Sequence, residues 1–133
     1  MNTKLFPVIA VWVLRIIAAL IMLQTLFFKF TASEESIYIF SQLGMEPWGR
    51  IATGIFELIA SILILIPRTT FFGAVLAIGL MLGAIGAHIV KLGIEVKNDG
   101  GQLFIYALIV LASASILAFI NRQSGVKLIK QIF

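Results

Sequence analysis

The chain has 133 residues, of which 61% are hydrophobic, and its mean hydropathy is +1.11; an ordinary soluble domain is only about half apolar. Its ten Lys and Arg residues exceed its six Asp and Glu residues by four charges, but the cations are scattered rather than clustered with aromatics, so nucleic acid is not an expected partner. The absence of cysteine excludes thiolate catalysis, iron–sulfur clusters and Cys-based zinc, and the single histidine excludes a bis-His haem, so no metal site is predicted.

The first predicted membrane span is followed by a short amphipathic helix. An apolar run over residues 5–28 is long enough to cross a bilayer, which takes about 20 residues. Residues 33–43 form the amphipathic helix, in which Ile37, Phe40 and Leu43 recur on one face. We expect this helix to lie along the membrane surface or to fold over the bundle.

Three further spans complete an all-α membrane bundle of four helices within a single domain. They are predicted over residues 47–66, 71–92 and 102–120, and an amphipathic tail suited to the membrane interface follows over residues 126–133. The third span contains four glycines, which are interpreted as packing residues that let a neighbouring helix approach closely: Gly73, Gly79, Gly83 and Gly86.

The distribution of charge predicts the orientation of the bundle. Four spans place both termini on one side of the membrane. The segments on that side contain five cations and no acidic residue: Lys4, Arg68, Arg122, Lys127 and Lys130. The positive-inside rule therefore predicts cytoplasmic termini.

Charged side chains inside the predicted spans are candidates for function, because placing a charge within the bilayer costs a few kcal/mol or more. Arg15 and Glu57 lie at depths that allow them to meet. Two interpretations of them stay open: a buried ion pair that fixes helix register, and a ligand-binding role. His88 near the end of the third span is either a hydrogen-bonded packing residue or a proton donor and acceptor.

A second group of polar residues lies nearer the predicted outer face. At about 1.5 Å of rise per residue, Gln24, His88 and Tyr106 fall at similar depths on three helices, with Lys29 above them. If these faces converge, they form one polar pocket. Gln24 and Tyr106 are the weaker candidates, because single polar residues in spans often serve only as interhelical hydrogen-bond partners. No catalytic residue is assigned, and the sequence favours a protein that is not an enzyme on its own.

Several short motifs resemble those of the DoxX family of small bacterial membrane proteins. They are Gln24-Thr25-Leu26-Phe27-Phe28-Lys29-Phe30, Glu46-Pro47-Trp48-Gly49-Arg50, Gly54-x-x-Glu57-Leu58, His88, and Asp99-Gly100-Gly101. The resemblance extends from Arg15 to Tyr106, and it implies four membrane helices with an Arg in the first, a Lys at its end, a Glu in the second and a His late in the third. It also implies a bacterial inner membrane location.

Two hypotheses from different functional classes are open. The family name comes from a subunit associated with a thiosulfate:quinone oxidoreductase, which implies a redox-linked membrane subunit that binds quinone or another small lipophile without a covalent cofactor. On this hypothesis the ligand-binding residues are Arg15, Gln24, Lys29, Glu57, His88 and Tyr106. The alternative is a non-catalytic factor that assists assembly of a larger membrane complex, with the glycine-rich third helix or the helix over residues 33–43 as its docking surface. The expected partners are the lipid bilayer and either a redox partner subunit or further copies of the chain.

Overall fold

The computed structural model describes residues 5–133, and the side chains from Pro7 onward. Lys4 of the predicted orientation signal therefore lies outside the described residues. The helices are α1 (Leu5–Phe30), α2 (Glu34–Gln42), α3 (Trp48–Leu65), α4 (Thr70–Ala87), α5 (Gln102–Ile120) and α6 (Arg122–Ile132). A short 3₁₀ turn, Pro67–Thr69, joins α3 to α4, and a π-helical turn, His88–Leu92, extends α4.

Four segments are long and apolar enough to cross a membrane: Pro7–Phe30, Trp48–Leu65, Pro67–Leu92 and Gln102–Ile120. This arrangement, with the short helix α2 between the first two spans, confirms the predicted all-α fold of a four-helix membrane bundle. The chain is a multi-pass membrane protein. The helix bounds differ from the predicted spans by a few residues, and α6 begins at Arg122, four residues before the predicted amphipathic tail.

The four spans pack as a ring in which α1 and α4 each contact both α3 and α5. Small side chains fill much of the buried core, with a few larger ones between them: Ala18, Ala60, Ala74, Ala77, Ala107, Ala114, Met22, Ile64 and Leu117. Most larger apolar residues of the spans face outward, since lipid is as apolar as the core and does not drive them inward. The helices are therefore held by close backbone approach and by hydrogen bonds.

The closest approach of α3 and α4 lies beside the turn that joins them. A Cβ atom added at Gly73 would stand 2.6 Å from the backbone nitrogen of Ile64. The Thr70 hydroxyl donates to the carbonyl oxygens of Ile64 and Ile66, at 2.9 and 3.0 Å. We call this end of the bundle, with the Pro67–Thr69 turn and α6, the turn end.

The opposite end, which we call the loop end, contains α2 and the segment between α4 and α5. Ser33 caps α2 by accepting a hydrogen bond from the Ser36 backbone nitrogen at 3.2 Å. Phe40 is buried, so α2 folds over the bundle rather than away from it. The buried face differs from the predicted one, because Ile37 is exposed and Ser36 takes the inward position one turn before Phe40.

Candidate functional site

A cavity of about 660 Å³ occupies the loop end of the bundle, beneath α2. All four spans and α2 contribute to its wall, which is mostly apolar. Its polar lining includes Thr25, Lys29, Glu57, His88 and Tyr106. A volume of several hundred cubic ångströms with a few polar groups is typical of small-molecule sites.

Three of the predicted packing glycines line this cavity instead. Gly79, Gly83 and Gly86 recur on one face of α4, and a Cβ atom added at any of them would meet no heavy atom within 4 Å. Their predicted role in close helix packing is therefore wrong, and among the four glycines of that prediction only Gly73 has it. The missing side chains leave room between the helices at this depth.

An ion pair with a third partner forms one polar side of the cavity. The Lys29 ammonium lies 2.6 Å from Glu57 Oε1, and the Thr25 hydroxyl donates to Glu57 Oε2 at 2.7 Å. The side chain of Glu57 is 5% exposed and that of Lys29 is 16% exposed. Both carboxylate oxygens thus have a partner, which is the condition for a buried charge to be tolerated.

The predicted meeting of Arg15 and Glu57 is wrong. Thr25 lies ten residues beyond Arg15 on α1, which is about 15 Å along a helix, and Glu57 pairs at the depth of Thr25 and Lys29 instead. Arg15 is buried outside the cavity lining. Its guanidinium lies 4.7 Å from the centre of the Trp12 ring, and its Nε has no hydrogen-bond partner.

His88 forms the other polar side of the cavity, at the start of the π-helical turn. Its Nδ1 lies 2.8 Å from the carbonyl oxygen of Ala84. Because a carbonyl only accepts, Nδ1 carries a proton, and a neutral imidazole then has a bare Nε2. That Nε2 is buried and has no hydrogen-bond partner. Unpartnered buried nitrogens are rare, and π-helical turns are frequent at functional sites.

Tyr106 lines the cavity, whereas Gln24 does not. Gln102 Nε2 lies 2.7 Å from the Tyr106 hydroxyl and donates to it, so the phenol proton is free for another acceptor. Gln24 is exposed on the outer surface of α1. Of the six predicted ligand-binding residues, the structure therefore brings four together at one cavity: Lys29, Glu57, His88 and Tyr106.

Arg50 lies outside the cavity lining and holds the backbone of Lys29 in place, a role that was not predicted from the sequence. Its Nη1 donates to the Lys29 carbonyl oxygen at 2.6 Å, while its Nε donates to a Glu46 carboxylate oxygen at 2.9 Å. The bond to Lys29 ties the last turn of α1 to α3. The spacing of four residues between Glu46 and Arg50, at the start of the second span, was the signal that the sequence offered.

Glu35 lines the cavity as well, a role that was not predicted from the sequence. Burial raises the pKa of Glu35, the nearby Asp99 carboxylate raises it further, and Lys97 partly offsets both. The Lys97 ammonium also lies 4.8 Å from the centre of the Tyr38 ring, which links α2 to the segment before α5. The acidic start of α2 therefore contributes a carboxylate to the cavity lining.

Asp99 holds the segment between α4 and α5 in its conformation. Burial disfavours its charge, but hydrogen bonds from the backbone nitrogens of Val96, Gly101 and Leu103 outweigh this and lower the pKa of Asp99. Gly100 and Gly101 adopt positive φ angles of 68° and 82°, which glycine accommodates without strain. This short segment thus positions the start of α5 beside His88.

Comparison with known proteins gives one match. The family model described as the DoxX-like family matches residues 13–117, which include every polar residue named above for the cavity lining. No curated protein and no solved structure matches the chain.

Proposed function

The chain belongs to the DoxX-like family, and we propose that it is a membrane protein that binds a small lipophile bearing oxygen groups, of which a quinone is the candidate. The observation that carries the proposal is a largely apolar cavity lined by His88, a residue whose Nε2 is buried without a hydrogen-bond partner. A buried acceptor without a partner costs about 1–3 kcal/mol. A ligand hydroxyl would remove that cost.

The donor and acceptor pattern fits a quinone and its reduced form. Neutral His88 accepts from a hydroxyl at Nε2, and the same atom donates to a carbonyl oxygen once it is protonated. Tyr106 has its phenol proton free to donate. A quinone, when bound, supplies the capacity to take up or release two electrons with two protons. The chain contributes apolar walls and hydrogen-bonding groups.

The charged pair has a separate task in this proposal. Lys29 and Glu57 neutralise each other and occupy the α1 and α3 side, so the cavity presents no uncompensated charge there. Lys29 has three donor hydrogens and so retains capacity to donate to a ligand oxygen.

The alternative role as an assembly factor stays a prediction. The two docking surfaces predicted for it were the glycines of the third span and the short helix α2. Gly79, Gly83, Gly86 and the inner face of α2 line the cavity. Their position favours ligand binding over docking of another protein.

Native mass spectrometry of gently extracted protein would test ligand binding. We expect a quinone-sized adduct, which His88→Phe removes because the acceptor is lost. Gln24→Leu is the matched control, since Gln24 is a polar residue of the spans that lies outside the cavity. Titration with a short-chain quinone and its quinol should raise the melting temperature of the wild type and of Gln24→Leu.

Two results would contradict the proposal. One is a folded wild type that holds no adduct and shows no thermal shift with either form of the ligand. The other is an adduct that survives in folded His88→Phe as well as in the control. Purification with one fixed protein partner, unaffected by either variant, would favour the assembly role.

We also propose that the protein resides in a bacterial inner membrane with the turn end in the cytoplasm. The cations at the turn end support this orientation. Because the chain has no cysteine, single cysteines at exposed Glu34 and Gln123 can report it with a membrane-impermeant maleimide. Labelling of intact spheroplasts at position 34 alone is expected, and labelling at position 123 alone would reverse the orientation.

A further inference from the structure

A cleft of about 310 Å³ lies at the turn end, where α6 folds back against the Pro67–Thr69 turn. Its walls are Arg68 of the turn and four residues of α6: Ser124, Lys127, Leu128 and Gln131. This cleft is separate from the cavity beneath α2 and shares no residue with it. A ligand in the cleft is therefore independent of the proposed quinone site.

The cleft has a fixed shape because α6 is anchored to the spans. Gly125 is buried against the ring of Phe71, where a Cβ atom would overlap the ring. The Asn121 side chain donates to the Leu117 carbonyl oxygen at 2.8 Å where α5 ends. Arg68 Nη2 donates to Gln131 Oε1 at 2.8 Å, which orients the guanidinium across the cleft.

No acidic side chain lies at the turn end beside the cations of this cleft. None of the six acidic residues lies in residues 58–94 or after Asp99. The two salt bridges among the described residues, Lys29 with Glu57 and Arg50 with Glu46, both lie toward the loop end. Arg68 and Lys127 therefore converge on a space that has hydroxyl and amide groups but no carboxylate.

The other face of α6 indicates what lies beside the cleft. Its apolar residues are exposed: Val126, Ile129, Ile132 and Phe133. They recur at helical spacing, away from the positions that line the cleft. A helix with this division lies in the membrane interface, with its apolar side toward the acyl chains. The cleft is then at the depth of the lipid phosphates.

We propose that this cleft binds the phosphate group of an anionic phospholipid. Arg68 supplies a planar pair of donors suited to phosphate oxygens, and Lys127 supplies a point charge. Ser124 and Gln131 add neutral donors at the two ends. The bound lipid joins α6 to the turn between α3 and α4, so it holds the carboxyl-terminal helix on the bundle.

The test compares two lipids with the same acyl chains whose headgroups differ in net charge. The full chain is placed in nanodiscs with equal amounts of phosphatidylglycerol and phosphatidylcholine of the same acyl chains, and retained lipids are counted by native mass spectrometry. We expect phosphatidylglycerol to be enriched on the wild type. Each lining cation that is removed, in Arg68→Gln and in Lys127→Gln, should lower that enrichment about fivefold.

The matched control removes the same charge from the same end of the protein. Arg122 and Lys130 are exposed cations of α6 that do not line the cleft. The double variant Arg122→Gln with Lys130→Gln should keep most of the enrichment, whereas Arg68→Gln with Lys127→Gln should lose it. Circular dichroism establishes that each variant is folded, and the single variant Lys127→Gln serves if the double variant is not.

Three outcomes would overturn the proposal. An equal loss in both double variants would mean that α6 attracts anionic lipid only by its overall charge. Unchanged enrichment in folded Lys127→Gln and in folded Arg68→Gln would mean that the cleft does not bind the headgroup. Binding of inorganic phosphate to the wild type without any enrichment of phosphatidylglycerol would assign the cleft to a free anion instead.

Discussion

Removing one charge of the Lys29–Glu57 pair should destabilise the protein more than removing both. Lys29→Met takes away the ammonium while keeping an unbranched apolar side chain of similar length. It leaves the Glu57 carboxylate, 5% exposed, with the Thr25 hydroxyl as its described partner. Glu57→Gln keeps the shape of the side chain and removes its charge.

The magnitude follows from the burial of the partner that is left behind. Breaking a buried ion pair costs about 3–5 kcal/mol, whereas replacing the whole pair by neutral groups of similar volume is often close to neutral. Lys29→Met should fall in the upper part of that range because Glu57 is the more buried partner. Glu57→Gln should cost less, since the longer lysine can extend its ammonium toward the headgroups. The double variant should lie within about 1 kcal/mol of the wild type.

The assay is reversible unfolding in mixed micelles with increasing SDS, followed by circular dichroism and by the fluorescence of Trp12 and Trp48. Lys91→Met is the matched control, because Lys91 is an exposed lysine at the same end with no ion pair in the described part of the chain. It should change the free energy of unfolding by less than about 0.5 kcal/mol. A double variant at least as unstable as the sum of its single variants would refute the compensation between these two charges.

The remaining predictions concern the glycines of α4 and the carboxylates of Asp99 and Glu35. Gly83→Leu should abolish ligand binding with little loss of stability, because the new side chain enters the open space of the cavity. Gly73→Ala should instead destabilise the protein, because the added methyl group displaces α3 from α4. Melting temperatures with and without ligand distinguish the two effects. Asp99→Asn should destabilise the start of α5 by about 1 kcal/mol. Because the folded pKa of Asp99 is lowered, its stabilising contribution is present above the ordinary pKa and is lost as pH falls through the folded value, so the variant should flatten the acid limb of the stability profile. The pKa of Glu35 is raised instead, so its contribution to the free energy of unfolding is greatest below the ordinary pKa of a glutamate and is lost as pH rises through the folded pKa. Glu35→Gln should abolish this decline in stability when unfolding is measured over a series of pH values.

The membrane architecture could be predicted because hydropathy depends on composition along the chain. A run of about 20 apolar residues has few alternatives to a helix across the bilayer, since every backbone polar group must be satisfied within the segment. The same reasoning identified the intramembrane residues Lys29, Glu57 and His88, because charge within a span is costly wherever the helix faces. Four of the six predicted ligand-binding residues accordingly line the cavity.

The errors have a common cause in helix rotation and depth. Arg15 was predicted to reach Glu57 from distances along the helix axes, but the partner is set by which side chains face each other at one depth, and Lys29 is that partner. Gln24 has a suitable depth and the wrong direction, because it faces outward. The glycines of α4 illustrate the same point, since Gly73 meets a neighbouring helix and Gly83 opens onto the cavity.

By itself, the sequence determined the four spans, the short helix between the first two, and which residues carry charge into the membrane. Tertiary structure alone decided that Thr25 joins the Lys29–Glu57 pair and that the Nε2 of His88 is left without a partner beside a cavity. The physical reason is that burial of apolar segments in lipid is an additive property of the chain. Hydrogen bonds act over about 3 Å, and they depend on rotations of whole helices that hydropathy does not specify.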